Sequence, residues 1–286
     1  MTGPLLVTGA TGHTGSAVSR LLREAGAEVR TASRDPGRAA VRFDWTDRGT
    51  YADALAGVER MYLVAPVGVA EPAPVVRPFL EMGLARGLRR VALLSSSATE
   101  PADHGLGALY RLVTDTVPEP VVLRPSWFMT NFVGDHPVAL GMRTGTVTTA
   151  TGAGRIGFVD VEDIAAVAAH TLLDDAVPDP EYLITGPEAL SYADVCSLAT
   201  ELTGRTIQHV AVSTAERAEQ IAASGVPRDF AVVLAAMDEA ISRGSEDRVT
   251  DTVPRITGRP ARSVADFLAA HVDQLDGMES SPPRVR

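Results

Sequence analysis

Residues 7–18 read VTGATGHTGSAV, and their glycines recur at every third position directly after an apolar run. A turn of this kind takes the chain from a strand into a helix through backbone conformations that side chains disfavour. A pyrophosphate can approach such a turn, because the free N–H groups and the positive end of the helix dipole stabilise it. The motif predicts a dinucleotide site, although a glycine-rich turn without a ligand would share the spacing. The residues assigned to it are Gly9, Thr11, Gly12, His13, Thr14 and Gly15.

Short apolar runs and amphipathic stretches alternate up to Pro125. The apolar runs predict strands over residues 4–8, 28–33, 40–43, 60–64, 90–95 and 121–124. The stretches between them predict helices over residues 16–25, 50–56, 74–86 and 106–117. Because parallel strands need crossover connections, this order predicts an α/β fold with a doubly wound parallel sheet that helices cover on both faces.

The pattern changes after Pro125. Residues 144–151 are rich in threonine and glycine and predict an edge hairpin or a mobile loop. Further strands are predicted over 157–160, 181–185 and 207–212, and helices over 161–173, 191–203, 214–223, 229–242 and 264–272. Ser191 and Ser263 are each followed three residues later by an aspartate, so we expect both serines to cap their helices.

Composition and charge exclude several classes of protein. The 26 basic residues are all arginine, which rules out a catalytic lysine, and 36 acidic residues give a formal net charge of −10. An acidic chain disfavours nucleic-acid and anionic-membrane partners. The sequence shows no apolar run long enough to cross a membrane and no basic, cleavable start, so we expect a cytoplasmic protein. With one cysteine, Cys196, expected in the core, and no H-x-x-x-H pattern, we expect no metal site.

The end of the second predicted strand indicates which dinucleotide binds. A carboxylate usually grips the ribose 2′-OH of NAD at this corner, whereas this chain has Ser33 and Arg34 there. A guanidinium forms bidentate hydrogen bonds with a phosphate, so the pattern favours NADP(H). The alternative is an exposed arginine beside an Asp-Pro turn.

Three further residues are candidates for contacts with the cofactor. Asp44 ends the third predicted strand, where a carboxylate can accept a hydrogen bond from the adenine amino group, or it caps a turn. Ala65 and Pro66 follow the fourth predicted strand and are expected at the nicotinamide end, unless they only form a loop.

The chain resembles the NmrA-like group of atypical short-chain dehydrogenases, and within it the festuclavine dehydrogenase type and its bacterial relatives. The resemblance rests on GATGHTG at 9–15, SR at 33–34, LSSS at 94–97, LRPSWFMTNF at 123–132, GFVDVEDIA at 157–165 and TGRP at 257–260. It implies a Rossmann domain with a smaller C-terminal substrate lobe. Members of the group reduce quinones, imines or iminium ions, or conjugated double bonds, and some only sense the cofactor.

With this resemblance we divide the chain into three parts. Residues 1–150 are expected to form the NAD(P)-binding core. Residues 151–276 supply the remaining core elements and the substrate lobe, and residues 277–286 form a disordered tail. We expect a monomer or homodimer whose partner is a small-molecule substrate.

The usual catalytic pair of short-chain dehydrogenases is missing. These enzymes use Tyr-x-x-x-Lys, in which the lysine lowers the pKa of the tyrosine so that it donates a proton near neutral pH. Here Tyr110 is followed by Thr114, which argues against a conventional alcohol dehydrogenase. Tyr110, Ser96 and His104 are the candidates for proton transfer. The alternatives are a half-buried helix tyrosine, a loop cap and an exposed helix start.

Other polar and aromatic residues are candidates for binding. Serines after the fifth predicted strand lie where open α/β sheets place ligands, so we assign Ser95 to the cofactor and Ser97 to the substrate. The other substrate-binding candidates are Trp127, Phe128, Asn131 and Phe158. Aromatic walls suit a flat, hydrophobic substrate, although packing between the lobes would use the same residues.

These features predict an NADPH-dependent reductase of a small hydrophobic electron-poor acceptor. Hydride addition to an iminium ion neutralises an existing charge and needs no proton donor in that step. Addition to a quinone or enone gives an anion that solvent can protonate. An arginine-only composition is typical of a high-GC bacterial gene and would suit secondary metabolism. The alternatives are a redox-sensing regulator that binds NADP without turnover and a non-redox cyclase or isomerase.

Overall fold

A computed structural model describes residues 3–35, 37–176 and 178–275, so the tail predicted over 277–286 lies outside the described residues. Within the described residues the strands are β1 (Leu5–Val7), β2 (Val29–Ser33), β3 (Val41–Arg42), β4 (Arg60–Val64), β5 (Arg90–Leu94), β6 (Glu119–Pro125), β7 (Thr146–Thr149), β8 (Glu181–Ile184) and β9 (Gln208–Ala211). Seven of them form one parallel sheet in the order β3-β2-β1-β4-β5-β6-β8. This order reverses direction between β1 and β4, as in a Rossmann sheet, and confirms the predicted α/β fold.

Helices connect the strands. They are α1 (His13–Glu24), α2 (Tyr51–Leu55), α3 (Pro72–Leu84), α4 (Gly105–Thr116), α5 (Pro137–Thr144), α6 (Val161–Leu173), α7 (Tyr192–Thr203), α8 (Thr214–Ala223), α9 (Arg228–Ser242), α10 (Thr252–Thr257), α11 (Val264–Ala270) and α12 (Val272–Leu275). The predicted caps are confirmed, since the hydroxyls of Ser191 and Ser263 accept hydrogen bonds from the N–H groups of Asp194 and Asp266 at 3.1 and 3.0 Å.

The chain divides into two compact units that are discontinuous in sequence. Unit 1 comprises residues 3–125 with Val161–Ile184 and Asp251–Pro260, and unit 2 comprises Ser126–Asp160, Thr185–Thr250 and residues 261–275. Residues 126–150 therefore belong to unit 2, and no single boundary at residue 150 separates the units. The chain returns to unit 1 because α6 packs there and β8 pairs with β6.

Each unit has its own apolar core. In unit 1 the core includes an aromatic cluster in which Phe79 lies 4.8 Å from Phe43 and 5.0 Å from Tyr51 between ring centres. In unit 2, Cys196 is 1% exposed within the core, and burial raises the pKa of its thiol to about 12. A thiol held neutral in this way packs as a small apolar group.

Two buried arginines fix the end of α6 in unit 1. Arg90 donates to the carbonyl oxygens of Thr171 and Asp174 at 2.8 and 2.5 Å, and its Nε donates to Glu119 at 2.6 Å. Arg60 donates to the carbonyl oxygen of Asp174 at 2.8 Å. These bonds satisfy carbonyls that the last turn of a helix leaves free, and they hold α6 against the sheet.

Three predicted elements differ from the structure. Residues 144–151 form neither a hairpin nor a mobile loop, because β7 pairs in parallel with β9, far along the chain. Residues 157–160 form no strand; Val159 makes one isolated bridge with Phe128, after which the partner segment turns into a short 3₁₀ helix at Met129–Phe132 and pairing stops. The last predicted helix is divided at His271 into α11 and α12.

Candidate active site

The glycine turn between β1 and α1 requires glycine at two positions. Gly9 has a φ of +61°, and a Cβ there would lie 3.0 Å from the Cβ of Val64. A Cβ on Gly15 would lie 2.2 Å from the carbonyl oxygen of Gly9. The first glycine is needed for its backbone conformation and the second for space, so the turn is tight and closely packed.

The start of α1 is free to bind an anion. Gly12 stands before the helix, no side chain caps this end, and the first turn contains no acidic residue among the residues described. The first N–H groups of a helix have no carbonyl partner within it. Gly9, Thr11, Gly12 and His13 are exposed, while Thr14 and Gly15 are buried. This open, uncapped end fits the pyrophosphate of a dinucleotide.

Thr8, directly before the turn, is a possible hydroxyl donor to a phosphate by its position in the sequence, but its hydroxyl is bonded to β4. Its Oγ1 accepts a hydrogen bond from the N–H of Val64 at 2.8 Å and donates to the carbonyl oxygen of Tyr62 at 3.3 Å. The side chain therefore ties the end of β1 to β4. A hydroxyl on the last residue before a glycine turn was the available signal.

Ser33, Arg34 and Asp44 lie at the carboxyl ends of two neighbouring strands, because β2 pairs in parallel with β3. Arg34 is exposed, whereas the Ser33 hydroxyl accepts a hydrogen bond from the N–H of Asp35 at 3.2 Å. Asp44 accepts from the N–H and hydroxyl of Thr46 at 2.9 and 2.8 Å. These bonds, and then the charges of Arg34 and Arg42, lower the pKa of Asp44. Asp44 thus caps a turn, and its contact with adenine stays a prediction.

The carboxyl ends of β4 and β5 carry the residues predicted near the nicotinamide. Ala65 is half-buried and Pro66 is buried directly after β4. Ser95 follows β5 and is 7% exposed, and its hydroxyl has no hydrogen-bond partner within the described chain. An unpaired buried hydroxyl costs about 1–3 kcal/mol, so this group fits a position where a ligand supplies the missing partner.

Ser96 and Ser97 have structural contacts. The Ser96 hydroxyl accepts a hydrogen bond from the N–H of Ala98 at 3.2 Å, which is the loop-capping alternative. Ser97 is 2% exposed, and its N–H donates to the carbonyl oxygen of Pro125 at 2.9 Å. Proton transfer by Ser96 and substrate contact by Ser97 stay predictions.

The hydroxyl of Tyr110, a residue of α4, is hydrogen-bonded to a carboxylate. Its hydroxyl donates to Glu181, which also accepts from Arg124 at 2.6 Å. Burial, followed by the hydrogen bond and charge of Glu181, raises the pKa of Tyr110 to about 12. A proton donor for neutral pH needs the opposite shift. Proton donation by Tyr110 stays a prediction, and these contacts favour the structural alternative.

Arg124 and His104 complete the polar residues of this edge. Arg124 donates to the carbonyl oxygen of Ser97 at 2.9 Å and binds the Glu100 carboxylate, so it holds the loop after β5. His104 is exposed at the start of α4 and caps no N–H group there. This placement matches the alternative of an exposed helix start.

The aromatic candidates lie in unit 2. Trp127, Phe128 and Asn131 are half-buried directly after β6 along the chain. Phe158 is 1% exposed, with its ring centre 4.9 Å from that of Phe132 and 5.4 Å from that of Tyr192. The structure therefore places the Phe158 side chain in the core of unit 2, because neighbouring rings enclose it, and not on a surface open to substrate.

Two arginines late in the chain form ion pairs with the two aspartates of the motif at 157–165. Asp163 pairs with Arg259 at 3.2 Å in unit 1, and Asp160 pairs with Arg262 at 3.0 Å in unit 2.

Across residues 3–35, 37–176 and 178–275, no three His, Cys, Asp or Glu side chains are grouped to hold a metal ion. None of the described helices has the length and apolarity to cross a membrane.

Comparisons with known proteins extend over nearly the whole chain. Residues 5–107 match the NAD dependent epimerase/dehydratase family. The chain is 43% identical to the oxidoreductase YesF of Bacillus subtilis, with 94% of this chain and 95% of YesF covered. It is 34% identical to agroclavine dehydrogenase of Claviceps fusiformis, with 93% and 96% covered.

Among solved structures, an NADPH-dependent quinone oxidoreductase of Escherichia coli in complex with NADPH has the same fold. Its TM-score is 0.80 at 23% identity, with 94% of this chain and 99% of that chain covered. Identity to YesF and to the clavine enzyme continues well beyond the glycine turn, through both units. The protein is therefore an NAD(P)H-dependent oxidoreductase that belongs to the NmrA-like atypical short-chain dehydrogenase/reductase family.

Proposed function

We propose that this protein is an NADPH-dependent reductase that transfers hydride to a small, hydrophobic, electron-poor acceptor, namely an iminium ion or imine, a quinone or an enone. One contrast within unit 1 carries the proposal. The glycine turn and the uncapped start of α1 are ready to bind a dinucleotide, whereas the hydroxyl of Tyr110 is engaged as a hydrogen-bond donor to Glu181. The site is thus prepared for hydride delivery without an activated acid.

Contacts at the end of β2 support NADPH as the cofactor. Asp35 is the first carboxylate after β2 along the chain, and its Oδ1 accepts a hydrogen bond from the N–H of Gly37 at 2.9 Å. Arg34 is exposed beside it. A guanidinium binds a 2′-phosphate through charge and paired hydrogen bonds, whereas a free carboxylate would favour the 2′-OH of NADH.

Residues of unit 1 bind and orient the cofactor in this proposal. The N–H groups at the start of α1 hold the pyrophosphate, and Arg34 holds the 2′-phosphate. Ser95 offers an unpaired hydroxyl at the edge where the nicotinamide half lies in open α/β sheets. When bound, NADPH supplies the hydride, and a fixed orientation toward the acceptor contributes several kcal/mol in favourable cases.

The proposed class of acceptor rests on the lack of an activated proton donor. The chain has no lysine, and the raised pKa of Tyr110 keeps its proton in place near neutral pH. An iminium ion needs no proton when hydride arrives, and the anion formed from a quinone or enone takes its proton from solvent. A ketone needs an acid at the moment of transfer. The name of one structural neighbour, a quinone oxidoreductase, agrees with a quinone as the acceptor, and the name of one relative, agroclavine dehydrogenase, agrees with a redox reaction.

Oxidation of NADPH by the purified protein, followed by near-ultraviolet absorbance, tests the proposal against naphthoquinone, a cyclic imine, an enone and a ketone. We expect turnover with at least one of the first three and none with the ketone, and a lower Kd for NADPH than for NADH. Ketone reduction would contradict the argument from the proton donors. Tight NADPH binding without turnover on any acceptor would favour a redox sensor instead.

A further inference from the structure

The segment from Ala65 to Glu71, here called the β4 loop, exposes apolar side chains to water. Val67 is 96% exposed and Val69 is 39% exposed. They are the large apolar side chains of unit 1 that stand out in this way among the residues described. A loop tip normally carries polar residues, so the two valines leave an apolar surface open for contact with a ligand.

The β4 loop is anchored on both sides of these valines. Before them, Pro66 is buried, and the N–H of Val64 donates the hydrogen bond to Thr8 that ties β4 to β1. After them, Glu71 accepts a hydrogen bond from the N–H of Gly105 at 2.8 Å. Since both ends of the β4 loop are anchored, the positions of the two valines are restrained.

That place is next to the glycine turn. The side chain of Val64 packs against Gly9, where an added Cβ would meet it at 3.0 Å. Val67 is three residues further along, and a fully extended chain covers at most about 3.6 Å per residue. The valine tip is therefore within about 11 Å of the end of β4, at the carboxyl edge where open α/β sheets bind their ligands.

The chemistry of the loop restricts what it can contact. Residues 65–70 read APVGVA and contain no charged or hydrogen-bonding side chain, while the carboxylate of Glu71 is occupied by Gly105. Such a surface recognises apolar area and not a charge. We propose that Val67 and Val69 form the contact surface for the acceptor and that Val67 makes the enzyme prefer acceptors with a fused apolar ring over small polar ones.

This inference rests on the proposed reductase function, and two quinones of different apolar area test it. With NADPH saturating, we expect Val67→Ser to raise the KM for menadione about tenfold, which corresponds to about 1.4 kcal/mol of lost apolar contact. The KM for benzoquinone, kcat and the Kd of NADPH should stay within about twofold. Val67→Ile, which keeps the apolar surface, should retain the wild-type KM for menadione.

Leu202→Ser is the control, because Leu202 is an exposed apolar residue of α7 in unit 2, at 41% exposure. It should leave both KM values unchanged. Equal effects of Val67→Ser on the two quinones, or no effect, would overturn the inference while leaving the reductase function intact.

Binding of naphthol, which cannot accept hydride, to the protein loaded with NADP+ separates the two proposals. If wild type binds naphthol and Val67→Ser weakens binding about tenfold, the contact surface stands even without quinone turnover. If wild type does not bind naphthol, or if Val67→Ser binds it equally well, the contact surface is wrong.

Discussion

The hydroxyl of Tyr110 donates a hydrogen bond to the carboxylate of Glu181, the first residue of β8. Glu181 pairs with Val122 of β6, so this bond directs the hydroxyl toward the last strand of the sheet. Arg124 closes the group by bonding Glu181 at 2.6 Å. A tyrosine in the helix after β5 is the proton donor of conventional short-chain dehydrogenases, and here it joins α4 to the sheet edge.

Tyr110→Phe therefore tests a structural role against a catalytic one. We expect kcat to stay within about threefold of wild type, and the free energy of unfolding to fall by about 1–2 kcal/mol because a hydrogen bond to a charged group is lost. Stopped-time assays with the best acceptor and urea unfolding measure both quantities. A loss of activity of about a hundredfold with unchanged stability would show that Tyr110 donates the proton after all.

Acid should weaken the same contact. Burial alone would raise the pKa of Glu181, but hydrogen bonds from Tyr110 and Arg124 and the charge of Arg124 outweigh it and lower the pKa below 4.5. A depressed carboxyl pKa stabilises the fold above the unfolded value, and this contribution is lost as pH falls through the folded value. Urea unfolding at about pH 7 and about pH 4 should show a smaller decrease for Glu181→Gln than for wild type. An identical decrease in both proteins would mean that Glu181 does not contribute to the pH dependence of the free energy of unfolding.

Gly12 and Gly15 should respond differently to alanine. At Gly15 a Cβ would lie 2.2 Å from a backbone oxygen, so Gly15→Ala should lose about 2–3 kcal/mol of stability. At Gly12 φ is −86° and the nearest atom would be 3.4 Å away, so the same change should leave stability within about 0.5 kcal/mol. Gly12→Ala should instead raise the Kd of NADPH about tenfold or more, because its methyl group would stand where the pyrophosphate approaches. Wild-type affinity for NADPH in Gly12→Ala would contradict the placement of the phosphate.

Much of unit 1 was predictable because its signals are local. The glycine spacing at 9–15 and the alternating strands need only neighbouring residues to recognise. The β7–β9 pairing joins residues about sixty positions apart, such as Thr148 and Val210, and no local pattern encodes it.

The candidate site divides in the same way. The glycine turn was evident from sequence, although the helix was predicted to begin at residue 16 and α1 begins at His13. The unpaired hydroxyl of Ser95 and the burial of Phe158 depend on distant packing partners. The bond from Tyr110 to Glu181 crosses 71 residues, so sequence could offer only the absence of a lysine as a hint.

Arg34→Ala should change the choice of dinucleotide. Removing the guanidinium should raise the Kd of NADPH about 10- to 100-fold, because a charged hydrogen bond to the 2′-phosphate is lost, and leave the Kd of NADH nearly unchanged. Fluorescence titration with both nucleotides measures the ratio. Arg23→Ala, an exposed arginine in the last turn of α1, is the control and should alter neither affinity. Equal weakening of both nucleotides by Arg34→Ala would remove the basis for NADPH preference.

Ser95→Ala should move stability and affinity in opposite directions. The Ser95 hydroxyl is buried without a partner in the described structure, so its removal should keep or raise the free energy of unfolding of the cofactor-free protein, by up to about 1 kcal/mol. If the hydroxyl forms a hydrogen bond with NADPH, its loss should raise the Kd of NADPH about fivefold, and the increase in Tm on adding NADPH should be smaller than in wild type. Ser197→Ala is the control, because that hydroxyl is exposed on α7 and bonds the carbonyl oxygen of Ala193, within its own helix, at 3.0 Å. A destabilised Ser95→Ala protein with unchanged NADPH affinity would mean that the hydroxyl serves the fold and not the cofactor.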